Sequence, residues 1–228
     1  MMNKSIRALT DAYEILIKTP LLLVPAVAPI VIHLFFLVLA YQIFPVLQII
    51  PFYGIIQGPN LPINWGGYLI ASVIGFMASC IVVEMTSDLV HQKPLDLNKS
   101  LKLIRSKFDT LIISGIIAAV CFVTFILIPV ALFIIVISIL ENTDAITSTK
   151  KSIALILNNL EEVGTFLVLI VLTSIIFGFG FGIIPIIGIY LGTVILWLLN
   201  TLFIIASVLF YTTLTQKTEA LPPPPPTP

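Results

Sequence analysis

All eleven Lys and Arg residues of this 228-residue chain fall into four short blocks, separated by long apolar stretches. The blocks are Lys4, Arg7 and Lys18; Lys93, Lys99, Lys102, Arg105 and Lys107; Lys150 and Lys151; and Lys217. The acids lie in or beside the same blocks. Such clustering suits a chain that crosses a bilayer repeatedly and keeps its charges on one side. Composition agrees: hydrophobic residues are 59% and charged residues 10% of positions, against about 45–50% and about 25% in average soluble domains. A soluble domain of this length cannot hide so much apolar surface. The formal net charge is zero, so nothing draws the whole chain to nucleic acid, and the basic residues must be read locally.

The apolar runs predict spans at 21–44, 68–83, 110–127, 129–140, 163–177 and 186–211. With six spans and both termini inside, every Lys and Arg is cytoplasmic and the three outer turns carry none, as the positive-inside rule requires. A five-span arrangement would put Lys150 and Lys151 outside. The uncharged run 110–140 is awkward, because about 20 residues cross the hydrocarbon core. It is long for one tilted span and short for a hairpin turning near Ile128 and Pro129.

An internal repeat favours the hairpin. Lys4-Ser5-Ile6, Lys99-Ser100-Leu101 and Lys151-Ser152-Ile153 are each followed, ten residues after the Lys, by an acid: Glu14, Asp109 and Glu161. Each triplet opens a stretch with helical periodicity. In the first, Ile6, Leu9, Tyr13, Leu16 and Ile17 oppose Lys4, Arg7, Asp11, Glu14 and Lys18. In the second, Leu97, Leu101, Ile104 and Phe108 oppose Lys99, Lys102 and Ser106, with Asp96 as N-cap. In the third, Ile153, Ile156, Leu157, Leu160 and Val163 form the stripe, and Asn142, Thr143 or Asp144 caps it. The expected fold class is therefore all-α. It is a polytopic membrane helical bundle of about six transmembrane helices with three cytoplasmic interfacial amphipathic helices. Three structural repeats, about 3–88, 96–141 and 148–214, build a domain over 1–215. A disordered proline-rich cytoplasmic tail follows at 216–228. Residues 45–67, with Phe52, Tyr53 and Trp65, read as an interfacial loop. Gly178 to Gly182 and Pro185 read as a flexible outer turn.

Chemistry is sparse. No Walker loop, HExxH, CxxC or GxSxG occurs. No carboxylate falls at mid-membrane, which disfavours an ion-coupled transporter. His33 reads as a hydrogen-bonded packing residue, Asn200 as a polar residue bonding across helices, and Cys80 and Cys121 as small buried hydrophobes. Gly188 and Gly192 form a small-xxx-small pair for internal packing. The N-terminus lacks a signal-peptide pattern. The expected lipid-headgroup contacts are Lys99, Lys102, Arg105, Lys107, Lys150 and Lys151. The expected acidic partners at the cytoplasmic rim are Glu84, Asp88, Glu141 and Asp144, with a divalent cation held by these carboxylates as the lesser alternative. No catalytic residue, cofactor or metal is expected.

Four motifs carry a resemblance. They are Lys18-Thr19-Pro20-Leu21-Leu22-Leu23-Val24-Pro25 entering the first span and Glu84 with Asp88 closing the second. The others are the Lys99-Ser100-Leu101 helix and Glu141-Asn142-Thr143-Asp144 leading to Lys150-Lys151-Ser152-Ile153. Over about 1–215 the chain resembles archaeal and bacterial multi-pass proteins related to the membrane domain of glycerophosphoryl diester phosphodiesterases. The resemblance implies fold and location. The soluble catalytic domain of those enzymes has no counterpart in these residues, so no catalytic residue is carried over. The expected function is that of a non-enzymatic multi-pass protein of the cell membrane, with both termini cytoplasmic. It would organise lipid or partner proteins at an anionic cytoplasmic leaflet. Its partners would be the bilayer and a membrane protein or second copy of itself, and not nucleic acid. The alternative is a permease or exporter of an apolar or lipid-like substrate.

Overall fold

Backbone groups in a bilayer must be satisfied within the chain, so apolar segments of this length become helices. The computed structural model describes residues 4–50, 54–123, 128–184 and 187–219. Its helices are α1 (Lys4–Lys18), α2 (Val24–Val38), α3 (Leu61–Val90), α4 (Leu97–Ser106), α5 (Phe108–Val123), α6 (Ile128–Leu140), α7 (Ala145–Asn158), α8 (Leu160–Gly182) and α9 (Ile187–Glu219). A 3-10 turn at Pro20–Leu23 and a π turn at Leu39–Ile43 extend α2 in both directions. The fold is an all-α helical bundle. Among the described residues, four segments are long and apolar enough to cross a membrane: Pro20–Ile43, Leu61–Val90, Leu160–Phe181 and Ile187–Thr215. The chain is thus a helical membrane protein.

Several boundaries differ from expectation. The 45–67 region is not all loop. Strands β1 (Val46–Ile50) and β2 (Gly54–Gly58) pair antiparallel, and α3 already begins at Leu61. The glycine-rich stretch 178–182 is not a turn but the end of α8. Helices in lipid tolerate glycine, because the bilayer core has no water to compete for backbone groups. Helix α9 runs through Glu219, so residues 216–219 of the expected tail are helical. The remainder of that tail, like Phe52, Tyr53 and Pro185, lies outside the described residues. The 110–140 run does divide into two helices, which pack on each other. Both arms are short for a span: the 13 residues of α6 rise about 20 Å, against about 30 Å of hydrocarbon.

The chain forms two compact units. The first holds Met1–Thr19, Cys80–Leu172 and Leu202–Pro228. It contains α1, all of α4 to α7, and parts of α3, α8 and α9. At its core Phe166 stacks on Phe210 with ring centroids 4.5 Å apart, and Phe133 lies 6.2 Å from Phe210. Helix α6 is buried almost all round, from Pro129 to Ile139. Lipid tails are as apolar as leucine, so close packing rather than escape from water holds such a core. The second unit holds Pro20–Ser79 and Thr173–Thr201. There α2 and α3 approach so closely that a Cβ at Gly67 would lie 2.1 Å from the Cβ of Phe36.

Candidate functional site

The first unit carries every Lys, Arg, Asp and Glu of the chain, and its helices α1, α4 and α7 share one arrangement. In the triplet Lys4-Ser5-Ile6, the Lys4 ammonium lies 3.4 Å from Glu162, Ser5 is fully buried and donates to the Glu162 carbonyl, and Ile6 is 44% exposed. In Lys99-Ser100-Leu101, Lys99 grips both Asp88 oxygens at 2.7 and 2.8 Å. Ser100 is fully buried and donates to the Asp96 carbonyl, and Leu101 is 46% exposed. In Lys151-Ser152-Ile153, Lys151 pairs with Glu141, Ser152 is fully buried and donates to the Val130 carbonyl, and Ile153 is 41% exposed. Successive helical residues turn by about 100°. Each triplet therefore sends its hydroxyl inward, its large apolar side chain to one flank and its ammonium to the other.

The inward faces are made of small residues: Ser5, Ala8 and Ala12 on α1, and Ala145, Ser148 and Ser152 with Ile156 on α7. The large apolar side chains face out, including Tyr13 and Ile17 on α1 and Ile146 and Leu157 on α7. This inverts the soluble amphipathic helix, whose apolar stripe faces the core. Small inward residues let the helix backbone lie close to the bundle.

The ten expected site residues sort into paired and open groups. Lys99 and Lys151 are engaged as above, and Lys107 donates to the Ile139 carbonyl at 3.4 Å. Lys102, Arg105 and Lys150 are exposed, and among the described residues they form no ion pair. Of the acids, Asp88 is buried under Lys99. Its hydrogen bond holds the Lys99 ammonium above the ordinary lysine value, while desolvation works against this and the charges of Asp88, Glu84 and Asp96 add to it. Glu84 is half-buried and acts on Lys99 through that field. Glu141 accepts from both Lys151 and Tyr211. Burial pushes its carboxyl up, but these hydrogen bonds and the Lys151 charge prevail and hold it below the ordinary range. Asp144 is a helix cap rather than an ion-pair partner. It accepts from the Ile146 and Thr147 amides and, bonded chiefly by Thr147, sits below the usual carboxylate value. Asp96 caps α4 in the same way, through Asn98 and Lys99. Among the described residues no three His, Cys, Asp or Glu side chains form a metal-binding group.

A second polar feature was legible in part, since His33 was expected to be a hydrogen-bonded packing residue and is one. In the second unit, Trp197 Nε1–H donates to His33 Nδ1 at 3.2 Å, and Tyr68 packs edge-on to His33 at 5.6 Å. They wall a cavity of about 350 Å³ that Ser72 and Asn200 also line. A neighbouring cavity of about 560 Å³ is lined by Tyr41, Gln42, Gly178, Phe181 and Tyr190 among others. Thr193 and Leu196 border both. The sequence pointed to His33 and Asn200 but gave no sign that Ser72 joins them, and among the described residues Asn200 lines this cavity rather than forming the expected hydrogen bond across helices. No family model, curated protein or solved structure matches the chain.

Proposed function

We propose that the chain is a non-enzymatic, multi-pass protein of the cell membrane. On this reading α1, α4 and α7 lie in the cytoplasmic interface and gather anionic lipid headgroups, with both termini on that side. One observation supports this above the rest: large apolar and cationic side chains are exposed together on the same helices, whose buried faces carry mostly small residues on α1 and α7 and Ser100 with Ile104 on α4. In water the exposed isoleucines would be a liability. In an interface they sit among acyl chains, and neighbouring Lys and Arg reach phosphates. Lys99 and Lys151 serve to pin their helices, while Lys102, Arg105 and Lys150 hold lipid. The shared geometry of the three triplets supports reading the chain as three repeats.

The test is lipid retention. Wild type and a K102Q/R105Q/K150Q variant are extracted from mixed phosphatidylglycerol and phosphatidylcholine nanodiscs, and bound lipid is weighed by native mass spectrometry. Each cation near an anionic surface contributes about 1 kcal/mol, so the variant should lose most of its preference for phosphatidylglycerol. Equal retention by both proteins would defeat the reading. The cavities of the second unit favour one further reading, a permease for a lipid-like substrate.

A further inference from the structure

The polar groups of the second unit sit where polar groups are costly. His33 precedes the end of Pro20–Ile43, while Ser72 follows the start of Leu61–Val90 and Asn200 the start of Ile187–Thr215. Counted from those three helix ends, each lies about 15–20 Å deep at 1.5 Å per residue, near the middle of a roughly 30 Å hydrocarbon layer. The three ends lie together, since Gln42 Nε2 donates to the Tyr190 hydroxyl at 3.4 Å and the Asn60 N–H, just before α3, donates to the Ala40 carbonyl at 2.9 Å. Among the described residues, neither the Ser72 hydroxyl nor the Asn200 amide has a hydrogen-bond partner. Unpaired groups at that depth cost several kcal/mol each. The Trp197 bond occupies His33 Nδ1 as an acceptor, leaving Nε2 of the neutral ring as a donor. No Asp, Glu, Lys or Arg lines either cavity.

We propose that these two adjoining cavities form a binding groove for a membrane-dissolved long-chain alcohol. Its hydroxyl sits among Ser72, Asn200 and His33, and its hydrocarbon tail lies along α9 past Leu196 and Thr193 toward Phe181. The absence of charge in the lining selects a neutral head over a carboxylate or phosphate, which would be buried without a counter-charge. Asn200 and Leu196 are exposed on the bundle surface, so the ligand enters from the lipid. The cavity volumes fall within the range of small-molecule sites. The proposal does not depend on the cationic helices of the first unit.

The probe is hexadecanol carrying a diazirine in its chain, added to the full-length protein in nanodiscs and photolysed. Labelling should saturate and map to peptides containing 68–79 or 188–200. Unlabelled hexadecanol should displace it far better than hexadecanoic acid at pH 8. An S72A/N200L variant removes two neutral hydrogen bonds to the ligand hydroxyl, so saturable labelling should fall roughly ten-fold. Leu196→Trp, which fills the junction of the cavities and leaves Ser72, Asn200 and His33 in place, should cause the same loss. The K102Q/R105Q variant should label as wild type. Non-saturating label, equal displacement by the acid, or undiminished labelling of both groove variants would overturn the proposal.

Discussion

Two carboxylates of the first unit, Glu141 and Asp144, share a direction of pKa shift from different causes. Glu141 is held down by Lys151 and Tyr211 against its own burial, and Asp144 by the start of α7. A depressed carboxyl stabilises the fold above its unfolded value, here 4.5 for Glu141. That contribution disappears as the pH falls through the lower folded value. In detergent, Glu141→Gln should lower the Tm at pH 7, and the gap from wild type should close toward pH 3. A gap independent of pH would mean that the charge on Glu141 is not what matters. Lys99 has the opposite sign: its raised pKa stabilises the fold below 10.5, and the effect is lost as the pH climbs through the folded value. Asp96 was legible as a cap, because Asp before a periodic segment has one strong use, whereas Asp144 was one of three candidates for the start of α7. The buried serines were not legible. In Lys-Ser-Ile nothing local says that the hydroxyl, rather than the isoleucine, faces the bundle.

At the scale of elements, the segments of α1, α4 and α7 could be read from period and charge, and the division of 110–140 from the recurring Lys-Ser triplets. The ends of the membrane helices could not. Glycine and proline end helices in water, whereas in lipid α8 continues through 178–182 and α2 contains Pro29. Rotation was equally hidden. That His33, Ser72 and Asn200 share one cavity depends on how α2, α3 and α9 are turned, which packing decides. Adjacent glycines of α3 test that packing. A Cβ on Gly67 would meet Phe36 at 2.1 Å, but one on Gly66 would meet nothing within 4 Å. Gly67→Ala should therefore cost about 1–3 kcal/mol by forcing α2 and α3 apart. Gly66→Ala should gain about 0.5–1 kcal/mol by stiffening the helix. Thermal melts of the two variants in one detergent would compare them, and equal shifts would contradict the close approach. The caps offer a second register for the expected repeat. Aligned on Asp96 and Asp144, Ser100 matches Ser148, which is likewise buried and donates to its capping carbonyl. That register is one helical turn from the match of Ser100 with Ser152.

For the molecule as a whole, the arrangement of charge sets the expected topology. Single cysteines at positions 60 and 150, in a chain with Cys80 and Cys121 replaced, should react with an impermeant maleimide from opposite sides of the membrane. Position 60 should label from outside and position 150 only after permeabilisation. Labelling of 150 from outside would invert the proposed placement of the Lys150 and Lys151 block. The experiment holds whether α5 and α6 cross fully or turn back within the bilayer, since both paths return α7 to the side of α4. The His33–Trp197 bond has one more consequence. The chain has two tryptophans, Trp65 and Trp197, so Trp65→Phe leaves a single indole, already hydrogen-bonded to the imidazole. That chain would carry its own optical gauge: the colour and lifetime of its emission would report what sits beside His33, with no dye attached.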